Sequence, residues 1–337
     1  MHVAVDADNL VEDDRGIGRY ARAILIRALR HPDFRWTFVV RKLLTRRRAL
    51  SRVLGDARVR VARSVPHDAD VVWSPWNGTF LRSSAPFVAT IHDATPFAFP
   101  AEDAAVRRSQ QLPFFRSANA SRIMVPSTFA SSEVERWLGV DPAKIVITPL
   151  AVDSTFAPGP AGAPPPGLGA APYILYVGTH DERKNTGVLI AAYESAFPDA
   201  SVKLAFTRMP PSMPNGGVLV AALDDAALIA LYRGAALVVM PSPYEGFGLP
   251  LLEALACGVP TLAARAGAMP EVGGEATAWV DEPTNPDAWM RAMRALMDDA
   301  TARGRLAQLG PSQAKNFSWE QCTSQTLEVF RNAAAST

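Results

Sequence analysis

The sequence lacks the features that mark secreted, zinc-bound or strongly charged proteins. Its 337 residues include two cysteines, Cys257 and Cys322, which are too few for a disulfide framework and have no CxxC spacing. The 34 basic and 33 acidic residues leave a net charge of +1, so no global field attracts nucleic acid. No 18 consecutive residues are all apolar, and the start of the chain has no cationic, apolar leader. These absences predict a cytoplasmic protein with reduced thiols, no structural zinc and no nucleic-acid partner.

What is present indicates a globular α/β chain with about two domains, at roughly 150 residues per domain. Apolar runs of strand length alternate with segments of helical spacing, a pattern typical of parallel sheets buried on both faces. The predicted strands lie at 3–5, 36–40, 71–73, 87–91, 123–125, 145–148, 173–177, 203–206 and 237–240. The predicted helices lie at 19–29, 131–138, 186–194, 226–233, 249–256 and 286–298.

Residues 158–172 read PGPAGAPPPGLGAAP and interrupt this alternation, because such a stretch sustains neither helix nor sheet. We therefore predict a first domain over 1–157, a linker over 158–172 and a second domain over 173–317. The spacing of apolar residues over 318–337 predicts one amphipathic helix. Its buried face would contain Trp319, Cys322, Leu327 and Phe330.

The first motif, Gly16-Ile17-Gly18-Arg19-Tyr20-Ala21, matches the GxGxxA dinucleotide fingerprint. A charged stretch separates it from the preceding strand, which argues against a nicotinamide site. Two interpretations stay open: a glycine-rich loop that lets a helix N-terminus approach an anion, and a plain tight turn.

The second motif is the segment 243–254, PYEGFGLPLLEA. Its two glycines let a backbone approach a ligand, and the helix start that follows favours a phosphate. Glu253 can accept hydrogen bonds from vicinal hydroxyls such as those of a ribose, and Glu245 can reach a sugar ring. For Glu253 the alternative is an ordinary carboxylate that favours a helix N-terminus. For Glu245 the alternative is a solvated loop charge.

Two further segments follow predicted strands at the edge where open α/β sheets bind ligands. Arg183 offers a planar donor fork and Lys184 a point charge, which together suit a diphosphate and can replace a metal ion. His92 and Asp93 follow the strand at 87–91, where the imidazole can bind a sugar hydroxyl, shuttle a proton or serve structure alone. Asp6-Ala7-Asp8 is formally a DxD motif but has no partner carboxylate, so we predict no metal site.

Taken together, these motifs resemble the retaining GT-B glycosyltransferases of family 4 along nearly the whole chain. The most specific is the EX7E pattern from Glu245 to Glu253. The others are Gly16 to Tyr20, Ile91-His92-Asp93, Val125 to Ala130, Tyr176 to Thr179 with Arg183-Lys184-Asn185, Cys257 to Pro260, and Pro270-Glu271-Val272. The resemblance implies two Rossmann-like domains facing a cleft, with the C-terminal helix crossing back to the first domain.

The resemblance also implies a role for individual residues. The implied catalytic residues are Glu245, Arg183, Lys184 and His92. The implied donor-binding residues are Gly18, Thr179, Arg183, Lys184, Gly246, Phe247, Gly248, Leu249 and Glu253. The implied acceptor-binding residues are Arg19, Tyr20 and Asp93.

The activity that the resemblance implies is metal-independent, front-face transfer of a hexose with retention, without a cofactor. The first choice of donor is GDP-mannose and the second a UDP-sugar, with a glycan or polyprenyl-linked acceptor in bacterial surface polysaccharide synthesis. Two alternatives remain: a sugar-nucleotide epimerase on a GT-B-like fold, and a non-catalytic sugar-nucleotide-binding subunit. The chain departs from the family where Gly267-Ala268 replaces a usual Gly-Gly and where Leu150-Ala151-Val152-Asp153 replaces Asn-Gly-Val-Asp.

The stretch from Arg41 to Leu54 is basic with interleaved aliphatic residues. It can contact anionic lipid headgroups beside a polyprenyl-linked acceptor, which would make the protein peripheral at the inner face of the membrane. A solvated helix face explains the same pattern equally well.

Overall fold

A computed structural model describes residues 1–13, 16–41, 43–56, 59–79, 81–163, 165–221 and 223–335. The chain forms two compact units. Unit 1 comprises Met1–Leu150 together with the C-terminal residues from Ser318, and unit 2 comprises Ala151–Phe317. The described residues contain no helix long and apolar enough to cross a bilayer.

Unit 1 contains a parallel sheet in which seven strands are described, in the order β3-β2-β1-β4-β5-β6-β7. The strands are β1 (His2–Asp6), β2 (Arg35–Val39), β3 (Val61–Ala62), β4 (Val71–Ser74), β5 (Phe87–Thr90), β6 (Arg122–Val125) and β7 (Ile145–Ile147). Its helices are α1 (Gly16–Ala28), α2 (Leu43–Leu54), α3 (Thr95–Ala98), α4 (Ala104–Ser117) and α5 (Thr128–Leu138). The strand order reverses between β1 and β4, which pair directly. The crevice outside their carboxyl ends is therefore where this topology accepts a ligand.

Helix α12 (Trp319–Ala335) packs on unit 1 through a buried stripe. Its four predicted core residues are all buried, Trp319, Cys322, Leu327 and Phe330. The Phe330 ring lies 5.4 Å from that of Trp73, so the last helix covers the strands that carry the core of unit 1.

Unit 2 repeats the same plan, with six described strands in the order β10-β9-β8-β11-β12-β13. The strands are β8 (Tyr173–Tyr176), β9 (Lys203–Phe206), β10 (Gly217–Leu219), β11 (Leu237–Met240), β12 (Thr261–Ala264) and β13 (Ala278–Val280). The helices are α6 (Thr186–Ala196), α7 (Asp225–Gly234), α8 (Leu249–Ala256), α9 (Met269–Gly273), α10 (Pro286–Asp298) and α11 (Ala300–Ala314). The order reverses between β8 and β11, which are neighbours. The α/β class with two parallel-sheet units is thereby confirmed.

The first unit ends earlier along the chain than the sequence suggests. Residues 151–157, which we placed in the first domain, belong to unit 2. The Phe156 ring packs at 6.3 Å from that of Tyr232, and Arg233 Nε donates to the Ala157 carbonyl at 2.8 Å. These contacts involve α7, so no local pattern in the sequence reveals them.

Candidate active site

The charged candidate residues of unit 2 follow the two strands at its switch point. The segment after β8 includes a 3-10 turn, Glu182–Lys184, and the segment after β11 leads into α8. Leu237 pairs with Ile174 and Val238 with Leu175, so both strands deliver their carboxyl ends to the same edge of the sheet. Segments that are about 60 residues apart in sequence thus meet at this edge.

Asn185 joins the segments that surround this edge. Its backbone has φ 55°, a left-handed conformation that asparagine tolerates better than most residues. Its side-chain amide donates to the Pro283 carbonyl at 2.6 Å and to the Pro241 carbonyl at 3.3 Å. Asn185 therefore fixes the end of the turn that carries Arg183 and Lys184.

Glu245 lies at the centre of a compact charge cluster. Its carboxylate accepts from Lys184 Nζ through one oxygen and from Arg183 Nη1 at 3.2 Å through the other. Arg183 Nε also lies 3.2 Å from a carboxylate oxygen of Asp181. Two cations and two carboxylates therefore balance each other in what we call the Glu245 cluster: Asp181, Arg183, Lys184 and Glu245.

The electrostatics of this cluster follow from burial and pairing. Glu245 is 8% exposed, and this burial acts to raise the pKa of its carboxyl. The neighbouring Lys184 and Arg183 charges outweigh that effect and hold the pKa of Glu245 below its ordinary value. Glu245 is thus an ionised carboxylate at neutral pH and is not a proton donor in this arrangement.

The backbone next to Glu245 requires glycine at one position of the Gly267-Ala268 pair. Gly267 has φ +60°, and a Cβ there would lie 2.8 Å from the Glu245 backbone nitrogen. Ala268 has an ordinary φ of −82°, is fully buried, and donates its N–H to the Glu245 carbonyl at 3.0 Å. The Ala268 methyl, which departs from the usual second glycine, is therefore accommodated inside unit 2.

Glu253 is buried in the second turn of α8. It is 4% exposed, and one carboxylate oxygen accepts from the Tyr232 hydroxyl at 2.8 Å. Tyr232 belongs to α7 and is itself fully buried. The alternative for Glu253 was a carboxylate that favours a helix N-terminus, whereas the structure buries it beyond the first turn with Tyr232 as a partner. The alternative for Glu245, a solvated loop charge, does not fit its 8% exposure.

The remaining residues that were predicted to bind the donor differ in backbone conformation and in exposure. Gly248 precedes α8 with φ +100°, a conformation suited to glycine. Phe247 is buried against the ring of Phe317 at 5.5 Å, so its backbone alone can face a ligand. Gly246 is buried and Leu249 half-buried, while Thr179 is exposed and donates to Asp181 at 2.6 Å.

The predicted residues of unit 1 are mostly part of its core. Tyr20 is 1% exposed, its hydroxyl lies 3.3 Å from that of Thr90, and burial raises the pKa of the phenol. Its ring lies edge-on to His92, with ring centroids 4.8 Å apart. The expectation that the Tyr20 side chain contacts the acceptor is therefore wrong for this structure, because the GIGRY helix turns that ring inward.

Gly18 is required by the loop that folds over it. A Cβ at Gly18 would lie 1.7 Å from the Asp13 carbonyl oxygen, so α1 and the preceding loop are in direct contact. Arg22 Nη1 donates to that same carbonyl at 2.7 Å. Arg19, on the next position of α1, is half-buried.

His92 and Asp93 are organised by a residue that we did not predict, Asn77. Its amide oxygen accepts from the His92 backbone at 2.6 Å, and its amide nitrogen donates to Asp93 at 3.3 Å. His92 Nε2 lies 2.9 Å from the Pro75 carbonyl, so this nitrogen carries the proton. Burial lowers the pKa of the His92 imidazole, which is consequently neutral at pH 7.

Comparison with known proteins agrees with this architecture. Residues 3–156 match the model of glycosyltransferase family 4, and residues 218–313 match that of the glycosyl transferases group 1. The O-antigen chain mannosyltransferase B of Escherichia coli is 33% identical over 72% of this chain and 70% of its own length. This chain belongs to family 4 of the glycosyltransferases.

A second relative of this glycosyltransferase is the D-inositol 3-phosphate glycosyltransferase of Rhodococcus jostii. It is 30% identical over 64% of the chain, and the match spans 53% of the relative's length. The sucrose-phosphate synthase of Thermosynechococcus elongatus has the same fold, with a TM-score of 0.74 over 100% of both chains at 18% identity.

Sequence reasoning assigned no role to three residues of the glycosyltransferase's candidate site. Asn185 ends the Arg183-Lys184-Asn185 motif, so its position gave a usable signal. Asn77 precedes Gly78, and the Asn-Gly pair indicates a turn but not a partner for His92. Tyr232 has no local signal at all, because its role depends on how α7 packs against α8.

Proposed function

We propose that this glycosyltransferase transfers a hexose from a nucleoside-diphosphate sugar to a glycan or polyprenyl-linked acceptor, with retention of configuration. The observation that carries the proposal is the Glu245 cluster, which holds a guanidinium and an ammonium group at the ligand-accepting edge of unit 2. GDP-mannose is the first choice of donor and a UDP-sugar the second. The mannosyltransferase activity named for the Escherichia coli relative supports mannose and a role in surface polysaccharide synthesis.

The chemical step needs stabilisation of charge on the departing diphosphate. Arg183 and Lys184 can supply it from fixed positions, because Asn185 and Glu245 hold the turn and the side chains in place. Preorganised charges of this kind lower a barrier without reorganisation during the reaction. The N-terminus of α8 presents the positive end of the helix dipole to a phosphate, and Gly248 lets the backbone approach it closely.

In the proposed front-face reaction, the acceptor hydroxyl attacks the anomeric carbon on the side from which the diphosphate leaves. The bond from carbon to the diphosphate oxygen breaks, and the departing phosphate takes the hydroxyl proton. Glu245 is then neither nucleophile nor acid, which agrees with its two ion pairs. Its proposed role is to position both cations and to stabilise positive charge on the sugar ring.

His92 is proposed as a binding rather than a proton-transferring residue. Since Nε2 donates to the Pro75 carbonyl, Nδ1 is the nitrogen that can accept from a sugar hydroxyl. The lowered pKa of the buried imidazole keeps it neutral, which disfavours a proton shuttle. Arg19 and Asp93 remain candidate acceptor contacts in unit 1.

The first experiment is calorimetric titration with GDP, UDP, ADP and dTDP on the native protein and on Arg183→Ala and Glu253→Ala. Arg305→Ala and Glu275→Ala, which alter exposed residues of unit 2, serve as matched controls. Selective binding of one nucleotide, weakened by the two site variants alone, supports the proposal and fixes the donor class. No binding, or equal binding by site and control variants, contradicts it.

The same preparations separate the two rival functions. Conversion of a donor sugar to its epimer without an acceptor would support an epimerase. Tight nucleotide binding with neither transfer nor hydrolysis of any donor would support a non-catalytic binding subunit. Transfer to an added acceptor with the α-linkage of the donor kept would exclude both alternatives.

We further propose a peripheral, mainly electrostatic membrane contact through α2. Arg47, Arg48 and Arg52 are exposed, whereas Leu50 and Leu54 are buried, so the described part of this helix offers charge and few apolar groups. Each arginine near an anionic surface contributes about 1 kcal/mol to binding.

Binding to phosphatidylglycerol vesicles tests this contact. The affinity should fall as the salt concentration rises, and it should fall in the double variant Arg47→Glu/Arg48→Glu. The comparison variant is Leu112→Ser/Phe115→Ser, which alters two exposed apolar residues of α4. If only this variant loses vesicle binding, the membrane contact lies on α4 and the proposal for α2 is wrong.

A further inference from the structure

Unit 1 has a cavity of about 390 Å³ at the carboxyl edge of β1, β2 and β3. Asp6 is the last residue of β1, Val39 is the last residue of β2, and Arg63 follows β3, so three neighbouring parallel strands end at this cavity. Leu81 provides a further apolar wall. We call this cavity the Asp6–Arg63 pocket. Its volume is at the lower end of the range for small-molecule sites, which suits one sugar-sized ring with a substituent.

Most of the charge around the pocket is already compensated. Asp8 accepts from the Arg41 backbone N–H at 2.8 Å and lies 2.5 Å from Arg41 Nε, so these two charges cancel. The Asp6 carboxylate accepts from the Thr79 hydroxyl at 3.2 Å. Within the described residues, Asp6 and Asp8 do not belong to any group of three or more side chains suited to a metal ion.

Arg63 differs from the other charged groups of the pocket. Within the part of the chain that the structure describes, its guanidinium makes no hydrogen bond and no ion pair, and it is exposed at the pocket. A guanidinium binds phosphate or carboxylate through paired N–H donors. The neighbouring Asp6 carboxyl offers oxygen atoms to hydroxyl groups, and the aliphatic walls suit the CH face of a ring.

We propose that the Asp6–Arg63 pocket binds a phosphorylated sugar or polyol, with the phosphate on Arg63 and ring hydroxyls on Asp6. This deepens the proposed function and rests on it, because it gives the acceptor bound by unit 1 a chemical class. An acceptor carrying a phosphate near the reacting end would be preferred over its neutral counterpart. Arg63 is then a specificity-determining residue rather than a catalytic one.

Calorimetric titration with D-mannose 6-phosphate, D-mannose and inorganic phosphate tests the pocket. We expect mannose 6-phosphate to bind native protein at least 10-fold more tightly than either of the other probes. Arg63→Ala should remove this preference and Arg63→Lys should restore part of it, since lysine keeps the charge without the fork. Arg30→Ala, an exposed arginine in the turn before β2 and so at the opposite edge of the sheet, should bind within 2-fold of native.

Equal binding of mannose 6-phosphate and inorganic phosphate would overturn the proposal, and so would an unchanged affinity in Arg63→Ala. Parallel titrations with GDP and UDP separate this proposal from the proposed function. Nucleotide binding without binding of mannose 6-phosphate rejects the pocket alone. Binding of mannose 6-phosphate without any nucleotide rejects the transferase proposal while keeping the pocket.

Discussion

The ligand-accepting edges of the two sheets hold carboxylates in opposite electrostatic states, half-buried Asp6 in unit 1 and buried Glu245 in unit 2. In unit 1, burial raises the pKa of Asp6 to about 6, with hydroxyl and backbone donors as its hydrogen-bond partners. In unit 2, burial acts on Glu245 in the same direction, yet Lys184 and Arg183 lower its pKa. The two units share a strand order, so the cations and not the topology make the edge of unit 2 suitable for a diphosphate.

The largest expected effect comes from removing a cation from unit 2. Lys184→Ala should lower the rate of transfer by about 10²–10³-fold, because a fixed charge at the leaving group is lost. Steady-state transfer from the preferred donor measures this change. Lys315→Ala removes an exposed lysine of the same unit and should stay within about 2-fold of native. A similar loss in both variants would show that the charge of Lys184 has no special role.

The glycine that supports Glu245 and the Asp6 carboxyl of unit 1 give the next effects, which are similar in size and concern stability. Gly267→Ala should reduce the free energy of unfolding by about 2–3 kcal/mol, because an alanine at φ +60° would also contact the Glu245 backbone. Ala268→Gly removes only a buried methyl and should cost about 1 kcal/mol. Urea unfolding compares the two variants. A larger loss for Ala268→Gly would contradict the assignment of the loop conformation.

The carboxylate of unit 1 should make stability depend on pH in the direction opposite to Glu245. Asp6 has a raised folded-state pKa of about 6 against 3.8, so its stabilising contribution is present below pH 3.8 and is lost as pH rises through about 6. At 1.36 kcal/mol per pKa unit, this contribution is about 3 kcal/mol. Glu245, with its lowered pKa, contributes stability above 4.5 that is lost at more acidic pH.

Chemical unfolding between pH 4 and 7 compares native protein with Asp6→Asn. The variant should keep the hydrogen bond from Thr79 and lose the destabilisation that native protein shows on raising the pH. Identical pH profiles for the two proteins would contradict a raised pKa for the half-buried Asp6 carboxyl.

A smaller effect with an unusual sign is expected for Glu245→Gln. The Glu245 cluster changes from neutral to a charge of +1, so a nucleoside diphosphate should bind about 5-fold more tightly while transfer becomes slower. Calorimetry and initial rates measure the two quantities separately. Weaker nucleotide binding would mean that Glu245 acts mainly by holding Arg183 and Lys184 in position.

The smallest expected effect is that of metal removal. If Arg183 and Lys184 stabilise the diphosphate, transfer should stay within about 2-fold after treatment with EDTA. Initial rates with and without added Mg²⁺ or Mn²⁺ provide the measurement. If the activity disappears with EDTA and returns with a metal, a metal ion stabilises the departing diphosphate, and Arg183 and Lys184 do not replace it.

Much of the fold was predictable because buried parallel strands read as short apolar runs. All nine predicted strand segments coincide with β-strands, while four described strands, β3, β10, β12 and β13, were not predicted. The strands β3, β10 and β13 lie at sheet edges and are mostly half-buried, so they give little apolar signal. The strand β12 is fully buried, but its sequence TLAA contains only one large aliphatic residue. The C-terminal helix was predictable from its amphipathic spacing, and its four expected core residues are buried.

The candidate site was predictable only where the chemistry is local in sequence. Arg183 and Lys184 are adjacent, and Glu245 and Glu253 belong to one motif, so their chemical types could be read directly. The ion pairs between the two motifs span 61 and 62 residues and could not be read. Tyr20 shows the opposite error, since a tyrosine beside a glycine-rich turn suggested a ligand contact but lies in the core.

The sequence by itself determined the α/β class, most of the strands and the identity of the charged groups that follow them. Tertiary structure alone decided that Glu245 pairs with Arg183 and Lys184, that Tyr232 donates to Glu253, and that Asp6 and Arg63 border one pocket. The physical reason is that strand and helix patterns reflect neighbours along the chain. The pairing, burial and pKa of a charged side chain depend on groups that only the packing of distant elements brings within a few ångströms.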